Sequence, residues 1–297
     1  MRKNKTLLLF FSVIFILLNA SVMLRAQSPY VNDTRYPINF SGNLLFPASS
    51  MDGSIVFQLE RNGNAHIYLL NPNTDSIDRL TVGNVNEKHP VWVPKKNAVV
   101  YDTGYNKESR LLYLDLKTRK SHLLLRRKIA CREASFTPSR HLVTFSGFDD
   151  RTQRWQIFTY DFIYDNLNRL TDEKGNCSFP VFSPDGKSIV YTVQENNGRS
   201  GLKIMNWYGE MRKSLATNIT GRACWTQDSW RILFLSKKGN HFNLYSIIND
   251  GTGIKLVKSE HHPFCSPALS VDGKKLIFSV KNMNKLQIIS YPEKAIH

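Results

Sequence analysis

An all-β fold is predicted: a six-bladed β-propeller of four-stranded antiparallel blades, closed by an N-terminal strand. Three observations predict it: a repeat near 44 residues, four short strand-like runs in each repeat, and a last repeat one strand short. Strand patterning at a 40–50-residue period, with four runs per unit, is the propeller signature.

The repeat appears in two independent series. Apolar or aromatic anchors stand three residues before each Asp-Gly turn or its equivalent: Ser49, Trp92, Phe136, Phe182, Trp225 and Leu269. They are spaced 43, 44, 46, 43 and 44, with Ser49 the weakest member. The β-rich run after each turn carries an aromatic at Phe57, Tyr101, Phe145, Tyr191, Phe234 and Phe278, spaced 44, 44, 46, 43 and 44.

A third run follows in every unit, from "HIYLLNP" to "LQIISYP", and a fourth in most, best seen in "IDRLT" and "LNRLT". These runs are β-branched and aromatic, alternate with period two, and are bounded by Gly, Asn, Asp and Pro. No amphipathic helix follows residue 27. The last unit ends "LQIISYP" and then only "EKAIH", without a fourth run. "YPINFSGNLLFP" (36–47) is therefore expected to supply its outer strand, sealing the ring against unpaired edges.

The units resemble the TolB-type propeller repeat, roughly a Pro-bearing strand, an aromatic, Ser-Pro-Asp-Gly, a β-rich strand, an "IY" strand and "RLT". "FPVFSPDGKSIVYT" (179–192), "HPVWVPKKNAVVYD" (89–102) and "SPALSVDGKKLIFS" (266–279) carry the match, with "RLT" at 79–81 and 169–171. The resemblance covers nearly the whole chain after the N-terminal segment and implies an exported propeller that binds other proteins. No α/β domain like that of TolB is expected ahead of the repeats. Related propellers include a pectic oligosaccharide lyase and the non-catalytic half of prolyl oligopeptidase-type enzymes.

The first residues read as a secretory signal peptide, residues 1–26: Arg2, Lys3 and Lys5 precede an apolar stretch from Leu7 to Leu18, with cleavage near Ala26. Residues 27–297 are then the propeller, periplasmic or secreted. A membrane contact is expected only through an uncleaved N-terminal segment. The formal charge is +16; Arg2, Lys3, Lys5 and Arg25 fall in the first 26 residues without an acid, leaving +12. Such a charge favours anionic partners, an envelope protein or an anionic glycan, and export argues against nucleic acid. A monomer is expected. Cys131, Cys177, Cys224 and Cys265 lie near successive inner strands and read as buried free thiols.

In a propeller, the segments entering the innermost strands ring one mouth of the channel. Here they bring His89, Arg132, Glu133, Asn176, Arg222, His261 and His262 towards one opening. Arg132 and Arg222 would be charge-assisted donors to an anion. The histidines would be bases or metal ligands, or would line a solvated funnel. No metal site or cofactor is expected, because His261 and His262 are adjacent and cannot easily share one metal from a strand. Basic residues gather at the opposite mouth, among them Lys95, Lys96, Arg140, Lys187, Lys274 and Lys275. Ser183 and Asp185 read as turn residues, since a nucleophile would not recur around a ring. Elbow, zincin, P-loop and dinucleotide motifs are all missing, so no catalytic residue is assigned. The leading reading is a non-enzymatic binding propeller of the cell envelope. The alternatives are a lyase or hydrolase acting on an acidic glycan at the channel mouth, and an accessory domain to a separate catalytic subunit.

Overall fold

A computed structural model describes residues 33–37, 42–260, 264–280 and 285–290. Residues 1–26, expected to be a signal peptide, and His261 and His262 lie outside these residues. The chain is an all-β propeller of four-stranded antiparallel sheets. A first strand, β1 (Asp33–Pro37), precedes the blades. Blade one holds β2 (Asn43–Ser49), β3 (Ile55–Arg61), β4 (Asn64–Asn71) and β5 (Ser76–Arg79). Blade two holds β6 (Glu87–Trp92), β7 (Ala98–Thr103), β8 (Arg110–Asp115) and β9 (Ser121–Leu123). Blade three holds β10 (Cys131–Phe136), β11 (Leu142–Asp149), β12 (Arg154–Asp161) and β13 (Asn166–Arg169). Blade four holds β14 (Asn176–Phe182), β15 (Ser188–Gln194), β16 (Ser200–Asn206) and β17 (Lys213–Thr217). Blade five holds β18 (Ile219–Trp225), β19 (Arg231–Lys238), β20 (His241–Ile248) and β21 (Lys255–Glu260).

These five blades are each contiguous in sequence. The last strands, β22 (Phe264–Leu269), β23 (Lys275–Val280) and β24 (Lys285–Ser290), instead lie in a sheet of order β1-β24-β23-β22. Its register runs from Asp33 opposite Ile289 to Pro37 opposite Lys285. The segment 36–47 is thus not one outer strand. Tyr36 and Pro37 end β1, whereas Asn43–Pro47 opens the innermost strand of blade one. Leu44 explains the division: it is buried against Ile55, Phe57 and Leu59, so burial draws this part of the segment to the core of blade one.

Every anchor of the repeat is the last residue of an innermost strand, β2, β6, β10, β14, β18 or β22. The aromatic of the second strand is fully buried each time, from Phe57 and Phe145 at 0% exposure to Tyr101 at 3%. Both faces of a blade pack on neighbours, so second strands are apolar on both faces, as in Ile55-Val56-Phe57. The core is accordingly divided into layers between adjacent sheets. Tyr101 and Leu114 meet Val56 and Ile67, Phe145 meets Val100, and Ile277 of β23 meets Phe57 of blade one. Hydrogen bonds span the layers with the same period: Trp92 Nε1 donates to the Ala48 carbonyl (3.0 Å) and Trp225 Nε1 to that of Val181 (3.0 Å).

The Ser-Pro-Asp-Gly turn is self-contained. Ser183 Oγ donates to Asp185 (2.5 Å) and accepts from the Ser188 N–H (3.0 Å), while Gly186 takes φ +74°. Ser270 and Asp272, and Thr226 and Asp228, repeat the arrangement. The Thr of "RLT" is also structural, since Thr81 and Thr171 accept the N–H groups of Ile67 (3.0 Å) and Ile157 (2.8 Å).

Candidate functional site at the channel mouth

Each innermost strand carries a β-bulge, and in each the chain passes through left-handed backbone. The residues are Phe46, His89, Glu133, Phe179, Gly221 and Ser266. Four of them precede a proline: Pro47, Pro90, Pro180 and Pro267. Proline has no N–H for a ladder and is tolerated inside a sheet at a bulge, so the Pro of the repeat marks the bulge. The bulge re-aims the preceding side chain towards the axis.

Phe46, His89 and Phe179, from three different blades, meet there. The His89 ring packs edge-on against Phe46 (centroids 4.3 Å apart) and Phe179 (5.5 Å), and the two phenyl rings stack at 5.5 Å. With Glu133, Ala134, Pro180 and Arg222 they enclose a cavity of about 10 Å³, about the limit for a single water. The channel at this level is therefore plugged.

Most polar groups at the plug are already engaged. His89 Nδ1 lies 2.8 Å from Asp102 Oδ1, and its backbone N–H donates to Gln58 Oε1 (3.2 Å). A carboxylate orients the imidazole as it would a general base, yet two phenyl rings close over it. Glu133 is buried and accepts from Ser146 Oγ (2.6 Å) and the Phe179 N–H (2.8 Å), with Arg132 Nε 3.3 Å away. Arg222 differs. It makes no hydrogen bond or ion pair among the described residues, and desolvation lowers its pKa from the ordinary guanidinium value, against the pull of Cys224 and Glu133. Arg222 is only half-buried, so its guanidinium is crowded at the plug without being sealed from solvent.

Of the residues expected at the mouth, His89, Glu133 and Arg222 are thus brought together. Arg132 does not line the plug cavity and stacks on Trp155 at 4.1 Å. Asn176 accepts the Trp155 N–H (3.0 Å) and pins blade three to blade four, as Asn86 pins Ala65 (2.7 Å) between blades one and two. Phe46, Phe179 and Asp102 were missed by sequence reasoning; the proline after each bulge was the available signal for the two phenylalanines. Cys131, Cys177 and Cys224 are buried free thiols, pushed up by burial to about 11, 12 and 12. The Cys265 side chain lies outside the described residues. No cluster of three or more His, Cys, Asp or Glu with metal-binding geometry occurs among the described residues.

Beside the plug, the loops joining second to third strands of blades two and three enclose an open groove of about 560 Å³, lined by Tyr105, Asn106, Lys107, Glu108, Phe148 and Trp155. Lys107 lies 4.4 Å from the Phe148 ring centroid, and Phe148 meets Trp155 edge-on at 5.6 Å. The groove falls within the size range of ligand clefts, and its aromatic floor is already covered by cations.

A repeat propeller with a plugged channel and a cation-lined mouth defines a class of scaffold rather than a known active centre. Residues 102–294 match the TolB beta propeller domain, and the chain belongs to that family. Residues 18–152 also match the N-terminal region of dipeptidyl peptidase IV. The Tol-Pal system protein TolB of Francisella tularensis subsp. tularensis is 22% identical over 197 residues, covering 65% of this chain and 45% of that protein. The chain thus aligns with less than half the length of that relative. A putative TolB from Agrobacterium tumefaciens superposes with a TM-score of 0.64 at 16% identity, covering 85% of this chain and 92% of that one. Oligogalacturonate lyase from Vibrio parahaemolyticus superposes with a TM-score of 0.60 at 11% identity, covering 91% and 96%. At these identities the two structures establish the fold alone.

Proposed function

We propose that the chain is an exported, non-enzymatic propeller of the bacterial cell envelope that holds an anionic partner, an envelope protein or an anionic glycan, at the channel mouth. In this reading residues 1–26 are a cleaved signal peptide and residues 27–297 form a monomeric, closed six-bladed ring in the periplasm or outside the cell. The β1–β24 pairing and the packing of Ile277 on blade one support closure. Membership of the TolB propeller family supports the envelope setting.

The observation that carries the binding reading is Arg222. It lines the plug without a protein acceptor among the described residues, whereas the neighbouring ionisable groups His89 and Glu133 are engaged internally. A carboxylate from a partner would satisfy a planar, five-donor fork. Arg132 and Lys107 extend the positive rim towards the groove.

The test compares wild type with Arg222→Met, which keeps the bulk and removes the charge. Envelope extracts are cross-linked to each, and polygalacturonate is titrated into each with absorbance followed near 235 nm, roughly where unsaturated uronates absorb. A partner or glycan held by wild type and released by the variant, without rise in absorbance, fits the proposal. Equal capture by both proteins overturns the role of Arg222. A rise in absorbance that His89→Ala abolishes would make the chain a lyase instead.

A further inference from the structure

The turns joining first to second and third to fourth strands emerge at the end of the blades opposite the channel mouth. Most large apolar side chains that stay exposed among the described residues sit on these turns. Ile163 (67% exposed) and Tyr164 (79%) tip blade three, Trp207 (45%), Tyr208 (51%) and Met211 (81%) tip blade four, and Trp230 (52%) tips the first turn of blade five. Scattered apolar residues need no explanation, but their concentration on one end of a protein marks an interaction surface.

The fold itself supplies a control. The same third-to-fourth turn occurs in blades one and two with polar tips, "PNTD" after Asn71 and "LKTRK" after Asp115. In all four blades the residue opening the turn sets its shape. Asn71 accepts the N–H of Asn73 (2.9 Å), Asp115 that of Thr118 (2.7 Å), Asp161 that of Ile163 (2.8 Å) and Asn206 that of Glu210 (2.7 Å). Turn geometry is therefore satisfied without the apolar tips. Folding does not require Ile163-Tyr164 where blades one and two manage with Asn73-Thr74 and Lys117-Thr118, nor Tyr208 where they carry Asn73 and Lys117.

The neighbouring sector is basic. The two turns of blade two at this end present Lys95, Lys96, Lys117, Arg119 and Lys120 against Asp115 alone. All five cations are exposed, and none forms an ion pair among the described residues. Beside the apolar tips, Asp165 is matched by Arg127 at 2.8 Å.

We infer that this end of the propeller docks on an anionic lipid bilayer, with the tips of blades three to five in the headgroup region and the blade-two cations on lipid phosphates. Trp and Tyr have an apolar body and a polar edge suited to that interface, and Lys and Arg add attraction to anionic headgroups. The tips stand on separate turns of adjacent blades on one end of a disc, so a planar surface can meet them together. The hollow at that end, about 250 Å³, is lined by Ser49–Gly53 and Ser270–Asp272 of the first and last sheets, where Met51 and Val271 are also exposed. Docked in this way, the propeller would turn its channel mouth away from the membrane. The inference does not depend on what the mouth binds.

The experiment uses the chain as exported by an expressing cell, with its N-terminus read by mass spectrometry. All variants share that terminus, so its contribution cancels. Co-sedimentation is measured with phosphatidylcholine vesicles with and without 30 mol% phosphatidylglycerol, alongside the tryptophan emission maximum. Wild type should bind the anionic vesicles with a blue shift. Ile163→Ser/Tyr164→Ser should lower the partition coefficient by roughly tenfold or more at unchanged thermal midpoint. Lys117→Glu/Lys120→Glu should lower it by roughly tenfold for anionic vesicles only. Trp207→Phe/Trp230→Phe should still bind and lose most of the blue shift. Failure of wild type to bind either vesicle overturns the inference, as does equal binding by the tip variant. So does a Tyr164 cross-link to an envelope protein without vesicle binding, which would make the end a protein interface.

Discussion

The two ends of the propeller solve opposite problems with the same repeat. At the channel mouth, left-handed bulges turn Phe46, His89, Glu133 and Phe179 inward, and nearly every polar group finds an internal partner. At the other end, Asx turns complete themselves locally and leave their tips free of structural duty. One end is constrained by packing between blades; the other is constrained only at the first residue of each turn. Side chains with no folding role can therefore accumulate on the second end, and an unmatched charge on the first, Arg222, stands out against its satisfied neighbours.

The largest contrast should appear in thiol chemistry. Cys131, Cys177 and Cys224 lie on inner strands, and burial raises each above the range in which a thiolate forms near neutral pH. At pH 8 none of the three should react with a disulfide reagent over hours, whereas all should react in denaturant, as mapped by mass spectrometry. Rapid native labelling of any of them would show that the mouth is not a closed core.

Removing a carboxylate from the mouth should cost more than any change at the turns. Glu133→Ala breaks two hydrogen bonds to a buried acceptor and removes the carboxylate paired with Arg132, a loss of about 3 kcal/mol in chemical denaturation. A loss within error of zero would mean that Glu133 is not a keystone of the plug.

The bulge itself can be separated from the packing it directs. Phe179→Ala should destabilise by about 2 kcal/mol, since the ring is only half-buried. Phe179→Gly should cost about 1 kcal/mol less than Phe179→Ala, because φ +51° suits glycine better than any L-residue. If glycine proves worse than alanine, strain at the bulge is not part of the balance.

Tryptophans sharpen the comparison further. Trp225→Phe and Trp92→Phe each lose an inter-blade hydrogen bond and should cost about 1 kcal/mol. Trp230→Phe, exposed and without such a bond, should stay within about 0.5 kcal/mol of wild type.

The smallest effect belongs to the turn carboxylates. The Ser50 hydroxyl and then the Ser54 N–H hold Asp52 below the usual carboxylate range; the Ser270 hydroxyl and then the Lys274 N–H do so for Asp272. A depressed folded pKa adds stability above the ordinary carboxylate value, and that stability is lost as pH falls through the folded value. Asp272→Asn should therefore lose a small increment of unfolding free energy at neutral pH, flatten the decline below about pH 4, and converge with wild type at the acid end. A difference from wild type that persists unchanged below about pH 2, or that appears only there, would contradict the assignment.

Much of the ring was legible because a blade is local. Four antiparallel strands joined by short turns bury one aromatic each time, so Phe57, Tyr101, Phe145, Tyr191, Phe234 and Phe278 mark the second strands without knowledge of their neighbours. The expected outer strand at 36–47 was misplaced because two adjacent strand-like runs, Asp33–Pro37 and Asn43–Ser49, serve different sheets. Only packing of Leu44 against Ile55 and Leu59 separates them. Of the mouth residues, His89, Glu133 and Arg222 were recognisable as polar residues near inner strands. That Asn176 braces Trp155, and that Arg132 stacks on it, depends on a neighbouring blade that no spacing reveals.

By itself the sequence determined the period, the strand order within a blade, the turn chemistry and the basic character of the chain, because each depends on residues close together in the chain. The tertiary structure decided that the mouth is plugged, which charges are neutralised and which end keeps its aromatics exposed. Those outcomes depend on side chains about 44 residues or more apart meeting at the axis, and on whole turns facing one way, which only the packing of successive blades about that axis can arrange.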